Sequence, residues 1–200
     1  LGRQQGQIRA VVNSPIGLGE TVSLFGLARP TMKGMKGTGS DVPIRAGGLA
    51  LALPLGNKGL TAGLSYMESM TRPGGDAQDL GLEANMKAAT GTLSYPLVYK
   101  RDKAVFFRGT LSWSDEIQQT NSGGEDQDLS HDRVTALRFG TSLNRCEVDC
   151  LGIDLQVSRG IDIGSRSLGD VGSGTPLSRG SGKNNFTHFK LDTTYTVAIA

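Results

Sequence analysis

The sequence has no long apolar run, few aromatic residues and almost no net charge. Its longest stretch of apolar residues and glycine is about ten positions, residues 47–56 with Pro54 inside it, whereas a membrane-spanning helix needs about 20. A net charge of +2 with 20% charged residues argues against a nucleic-acid-binding protein and against a highly charged disordered chain. Helical membrane proteins are therefore excluded, and a helical bundle is disfavoured.

Cysteine and histidine are almost absent. The two cysteines are Cys146 and Cys150, and the two histidines are His131 and His188. A structural zinc site needs four ligands, and the histidines lie far from the cysteines in sequence, so we expect no metal site. The cysteine spacing leaves two interpretations open, a short-loop disulfide formed in an oxidising compartment or a pair of free thiols.

Motifs that carry chemistry are also missing. Three Gly-x-Gly pairs, at residues 17–19, 37–39 and 172–174, lack the third glycine of a dinucleotide-binding fingerprint. There is no HExxH motif and no serine elbow, and neither histidine has a catalytic partner that can be identified from the sequence. We therefore expect no catalytic residue, no cofactor and no enzymatic activity.

Glycine is what the chain has in excess, at 29 of 200 residues against an average of about 7%. The combined share of apolar residues and glycine is ordinary, so glycine has replaced the large side chains that usually fill a core. This composition favours a glycine-rich β protein.

Side chains alternate between apolar and polar over lengths that a helix does not maintain. Between residues 104 and 114, large apolar residues such as Phe107 and Leu111 oppose polar ones such as Arg108 and Thr110. The pattern predicts nine long strands. They lie at residues 3–14, 20–31, 44–54, 60–71, 85–98, 104–119, 132–145, 150–162 and 184–199.

The connections between these strands alternate in length. Short turns are predicted at 15–19, 55–59, 99–103 and 146–149, and long polar loops at 32–43, 72–84, 120–131 and 163–183. Short turns at one end and long loops at the other are typical of a transmembrane antiparallel β-barrel, because only a closed sheet pairs every backbone amide in lipid. A soluble sandwich or lipocalin-like barrel is the alternative, although its strands usually have about 5–6 residues.

Charged residues inside the predicted strands mostly lie opposite the large apolar side chains. A lipid-facing Arg or Lys at the bilayer midplane costs roughly 2–4 kcal/mol, so we expect these residues to face the lumen. They either contact a translocating chain or form salt bridges that hold the barrel. The lumen-facing candidates are Arg9, Arg108, Arg138, Asp154, Lys190 and Asp192.

Several segments match one family in order along the chain. The stretch Asn13-Ser-Pro-Ile-Gly-Leu-Gly-Glu20, followed by residues 21–26, resembles the NPLGLGD…LSLSG segment of two-partner-secretion transporters. These are haemolysin-activator and filamentous-haemagglutinin secretion proteins, the TpsB type, of the outer membrane. Further matching segments are residues 53–56, 59–66, 93–98, 101–102, 177–179, 185–187 and 190–192.

The resemblance implies a sixteen-stranded barrel in the outer membrane of a Gram-negative bacterium, preceded by POTRA domains. Such a protein translocates a large secreted adhesin or haemolysin-like cytolysin without nucleotide, and contacts outer-membrane lipid but no nucleic acid. By this resemblance residues 1–200 are part of a single barrel domain, strands two to ten, without the POTRA domains, the plug loop or the closing strands. A passive porin or structural barrel, and a barrel-assembly insertase of the same superfamily, are the alternative functions.

Overall fold

The structure is a computed structural model of the 200-residue chain and describes residues 5–29, 44–72, 80–121, 127–166 and 174–197. These ranges form nine strands and no α-helix, and so contain no helix of the length and apolarity needed to cross a membrane. The strands are β1 (Gly6–Asn13), β2 (Thr21–Arg29), β3 (Ile44–Leu55), β4 (Leu60–Thr71), β5 (Leu82–Tyr99), β6 (Lys103–Thr120), β7 (Gln127–Cys146), β8 (Cys150–Ile161) and β9 (Thr187–Thr196).

All nine strands belong to one antiparallel sheet, in which each strand pairs with its neighbours along the chain. The predicted all-β fold of long strands joined as hairpins is confirmed. β7 begins at Gln127, five residues before its predicted start, because its first residues continue the pairing with β6 across a register shift at Gln118. The predicted loop at 32–43 and parts of the other three long loops lie outside the described residues, as do the predicted strand ends at 3–4, 30–31 and 198–199.

The register divides the side chains into two faces, because cross-strand partners point to the same side of a sheet. One set, the apolar face, includes Leu24, Leu49, Leu51, Leu64, Leu93, Phe107, Leu111, Trp113, Leu137, Phe139, Leu155, Phe189 and Leu191. The other, the polar face, includes Thr21, Ser23, Ala50, Thr61, Ser65, Thr90, Thr92, Arg108, Thr110, Ser112, Ser142, Gln156 and Ser158.

The sheet has almost no hydrophobic core. Among the described residues, the buried hydrophobic side chains are Met70 and Ala136. Large residues of the apolar face stay open instead, with Leu64 62% exposed and Phe189 70% exposed. A contiguous open apolar surface of this kind marks a face that contacts lipid or another protein.

The strands are staggered in the way that a tilted barrel wall requires. One row of cross-strand partners runs from Asn13, the last residue of β1, to Arg138, which lies eight residues before the end of β7 at Cys146. We take the short turns to lie at one level. The stagger of eight residues, at about 3.3 Å per residue, then accumulates across six strand spacings of about 4.8 Å, which corresponds to a strand tilt of about 40° from the barrel axis. Strands of membrane barrels tilt by about 35–45°.

The turn between β1 and β2 is organised around the Glu20 side chain, which is 2% exposed. Its carboxylate accepts hydrogen bonds from the backbone N–H groups of Ile16 at 2.5 Å and Leu18 at 2.8 Å. Gly17 and Gly19 have φ of 83° and 75°, a conformation that favours glycine. Burial alone raises the pKa of Glu20, but the hydrogen bonds outweigh it and hold that pKa below its usual value.

A proline inside β5 shifts the pairing of that strand. Pro96 has no N–H to donate to a neighbour, and the register between β5 and β6 slips between Pro96 and Val98. The Pro96 ring also lies against Gly59 in the β3–β4 turn, where an added Cβ would be 2.7 Å from its Cγ. This contact packs the β3–β4 turn against the last residues of β5.

Candidate functional site

The six charged strand residues predicted from the sequence lie on one face of the sheet. Arg9 is on β1, Arg108 and Arg138 are on the central strands β6 and β7, and the others are on β8 and β9. The register of the strands assigns all six to the polar face. These six residues are Arg9, Arg108, Arg138, Asp154, Lys190 and Asp192.

Three of these residues surround a shallow pocket on the polar face. Arg108, Arg138 and Asp154, from β6, β7 and β8, line a cavity of 120 Å³. Gly140 stands beside Arg108 in the same row of partners and has no side chain to fill the space between the strands. The register therefore places two guanidinium groups and one carboxylate around a small, water-accessible depression.

The charges on this face are only partly paired with one another. Lys190 Nζ lies 2.6 Å from Asp192 Oδ2, and Arg138 donates a hydrogen bond to Ser112 Oγ. Arg108, by contrast, has no carboxylate within ion-pair distance among the described residues. The Lys190–Asp192 ion pair lies within one strand and joins no two strands, so salt bridges that hold the sheet account for neither this pair nor the guanidinium of Arg108.

A second charged cluster lies on the opposite face, just beyond the apolar band. The Asp115 carboxylate is 2.6 Å from His131 Nε2, and it accepts hydrogen bonds from Arg133 Nε at 3.0 Å and Nη2 at 2.8 Å. No partner for His131 could be identified from the sequence, because Asp115 is 16 residues away. The pairing of Asp115 with Arg133 and of Ile117 with His131 brings the groups together.

The two cysteines lie at the short turn between β7 and β8. Cys146 and Cys150 are cross-strand partners, their Cα atoms are 4.2 Å apart, and a disulfide joins their Sγ atoms. Within the turn the backbone N–H of Glu147 donates to the carbonyl of Asp149 at 3.2 Å, and the backbone N–H of Cys146 donates to the carbonyl of Asp102 at 2.9 Å. The latter bond links the β7–β8 turn to the β5–β6 turn.

Sequence reasoning missed a segment that covers the loop end of the polar face. Residues 174–186, called the inner segment, belong in part to the loop predicted at 163–183. Ser178 N–H donates to Asp132 Oδ1 at 3.1 Å, and Phe186 lies directly over Gly160. The signal was present in the sequence as an isolated glycine inside a predicted strand, which often marks a close approach of other backbone.

The polar face of the described strands carries several kinds of side chain. In the part of the chain that the structure describes, no three His, Cys, Asp or Glu side chains are placed to hold a metal ion. The face carries hydroxyl groups, small residues and charges, together with larger apolar side chains such as Phe25, Met67 and Phe106.

Comparison with solved structures finds a chain with a similar fold. No protein-family model and no curated protein matches the chain. Among solved structures it is similar to CdiB from Escherichia coli, with a TM-score of 0.75 and 16% identity. CdiB is a two-partner-secretion transporter of the TpsB type. The likeness covers 100% of this chain and 35% of CdiB, so the chain spans about a third of that protein, and the fold expected from the sequence motifs is confirmed.

Proposed function

We propose that the chain forms part of the barrel of a two-partner-secretion transporter in the outer membrane of a Gram-negative bacterium. In this proposal the barrel passes a large secreted adhesin or haemolysin-like protein through its lumen without nucleotide. One observation carries it, a sheet of nine staggered strands with an open apolar face and a charged polar face that shares the fold of CdiB. The sequence motifs that resemble this family add independent support.

The height of the apolar band supports a position in a membrane. On β6 the apolar residues run from Val105 to Trp113, and the next residue on the same face is Asp115. Eight residue steps of about 3.3 Å on strands tilted by about 40° give a band of about 20 Å, close to the roughly 25 Å of outer-membrane barrels. Lipid is the solvent that such a band fits, because water makes exposed apolar surface costly.

The polar face supports the role of a conduit wall. Thr90, Ser112 and their neighbours offer hydroxyl groups that keep water at the wall, and small residues such as Gly140 leave room beside them. Arg108, which has no carboxylate partner among the described residues, is free to attract acidic side chains of a passing chain. Such contacts must be weak and numerous, because a conduit that binds its cargo tightly does not release it.

Deletion of the gene in the native host tests the proposal. We expect one large protein to disappear from the culture medium and to return when the full-length wild-type gene is supplied, as measured by mass spectrometry of the medium. The protein itself should fractionate with the outer membrane and require detergent for extraction. An unchanged set of secreted proteins would contradict the proposal.

Charge reversal at the wall tests whether the polar face contacts the cargo. We expect the double variant Arg108→Glu with Arg138→Glu to lower secretion of that protein while the barrel is still assembled. Arg101→Glu, in the exposed β5–β6 turn, is the matched control and should secrete normally.

Two outcomes of the gene deletion would favour the alternative functions. Loss of small-solute uptake with normal secretion would favour a porin, and depletion of several other barrel proteins from the outer membrane would favour an insertase.

A further inference from the structure

We propose that the inner segment, residues 174–186, constricts the conduit at its loop end, and that position 160 is a glycine so that the segment can lie against the wall. The role of the segment as a constriction rests on the proposed function. The contacts that place the segment on the polar face stand independently of that function.

The first part of the segment is attached to β7 by hydrogen bonds. The backbone N–H of His131 donates to the carbonyl of Pro176 at 2.9 Å. The Arg166 guanidinium joins the two chains, donating from Nη1 to the His131 carbonyl at 2.6 Å and from Nη2 to the Thr175 carbonyl at 2.9 Å. With the bond from Ser178 N–H to Asp132, these contacts hold the segment at the loop end of β7.

The last part of the segment crosses β8 directly above Gly160. The Gly160 N–H donates to the Phe186 carbonyl at 2.9 Å. A Cβ added at position 160 would lie 1.8 Å from the Asn184 carbonyl oxygen and 2.6 Å from Cδ1 of the Phe186 ring. The first contact is with backbone, so an alanine here must displace the segment or the strand.

The register shows which face the segment covers. Gly160 pairs with Ala136, Ala136 pairs with Ser112, and Ser112 belongs to the polar face together with Arg108. Asp132, which accepts the hydrogen bond from Ser178, lies on this same face of β7. The inner segment therefore folds over the predicted lumen wall and away from the apolar face.

A cavity of 570 Å³ separates the segment from the wall. Its wall side includes Ser114, Glu116 and Asp132, and its segment side includes Arg179 and Lys183. The acidic groups of the wall and the basic groups of the segment line the same cavity, together with Arg133 and Arg166. A segment held by a few hydrogen bonds over such a gap is easily displaced, as a constriction that opens for a passing protein must be.

The experiment uses the full-length protein with Gly160→Ala, and Gly180→Ala as the matched control. Gly180 lies within the inner segment, but a Cβ there meets nothing within 4 Å. Two properties are measured, the single-channel conductance in planar lipid bilayers and the rate at which a thiol reagent labels Ser114→Cys beneath the segment. We expect Gly160→Ala to raise both, and Gly180→Ala to leave both at their wild-type values.

A second variant covers the case in which Gly160→Ala does not assemble. Asp132→Ala removes the acceptor for Ser178 N–H without touching β8, and we expect it to raise labelling of Ser114→Cys as well. An assembled variant with unchanged labelling and conductance would overturn the inference. Labelling does not depend on any cargo. A protein that secretes nothing would refute the proposed function, and the labelling rate of Ser114→Cys would still report where the inner segment lies.

Discussion

Replacement of Leu64 by arginine should destabilise the protein far more than the same change at the next residue, Ser65. Leu64 lies on the apolar face of β4 between Leu51 and Gly91, and it is 62% exposed. Ser65 lies on the polar face between Ala50 and Thr90 and is also exposed. The two positions share a strand and differ mainly in the face that they occupy.

The expected magnitude follows from the depth of Leu64 in the proposed membrane. It lies four residues above Leu60, the first residue of β4, which is about 10 Å on a strand tilted by about 40°. This is near the middle of the apolar band of about 20 Å, where a lipid-facing arginine costs roughly 2–4 kcal/mol. For Ser65→Arg we expect less than about 1 kcal/mol, because a lumen-facing substitution keeps its charge in water.

The assay is denaturant unfolding of the full-length protein folded into lipid vesicles, followed by the shift of the folded band on unheated gels. Leu64→Ala controls for the loss of the leucine side chain, since it truncates that side chain without adding a charge. An equal or larger loss of stability in Ser65→Arg would refute the assignment of the faces. It would also remove the basis for treating the polar face as a conduit wall.

Three further predictions address the same architecture. In a Trp113→Phe background, a tryptophan at Leu64 should be quenched by brominated lipids and one at Ser65 should not; equal quenching would contradict the two-faced sheet. Alkylation of the unfolded, unreduced protein should leave the mass unchanged if Cys146 and Cys150 are bridged, and their replacement by serine should cost at most about 2 kcal/mol for so short a loop. Because the folded-state pKa of Glu20 lies below its usual 4.5, its carboxylate stabilises the fold above that pH and loses this effect as the pH falls through the lower folded value. The unfolding midpoints of wild type and Glu20→Gln should therefore differ at pH 7 and converge on acidification, and a constant difference would show that the charge is not responsible.

Local pattern was sufficient to predict the strands and the faces. Alternation at period two identifies the half-exposed strands around Phe107 and Arg108 without any knowledge of their partners. The same period places Arg138, Asp154 and Lys190 opposite the large apolar residues, and the structure puts them on one face. The predicted strand ends were less accurate where pairing continues through polar residues, as it does at Gln127.

Contacts between distant parts of the chain could not be predicted in this way. The contact between the Asp115 carboxylate and the His131 ring depends on the register between β6 and β7. A slip of one residue would move either side chain to the other face. The path of the inner segment depends on hydrogen bonds that Arg166 donates and that the Asp132 carboxylate accepts, which no local pattern encodes. Gly160 marks the crossing, but only the three-dimensional structure shows what crosses it.

The amino-acid sequence by itself determined that this protein is made of long alternating strands joined in hairpins, because side-chain alternation follows from strand geometry alone. Tertiary structure decided the stagger of the strands, and with it the tilt of about 40° that matches a membrane barrel. It also decided that Arg108 stands without a carboxylate partner among the described residues while residues 174–186 cover the loop end of its face. Register and loop path are set by many weak contacts between distant residues, which only the folded sheet brings together.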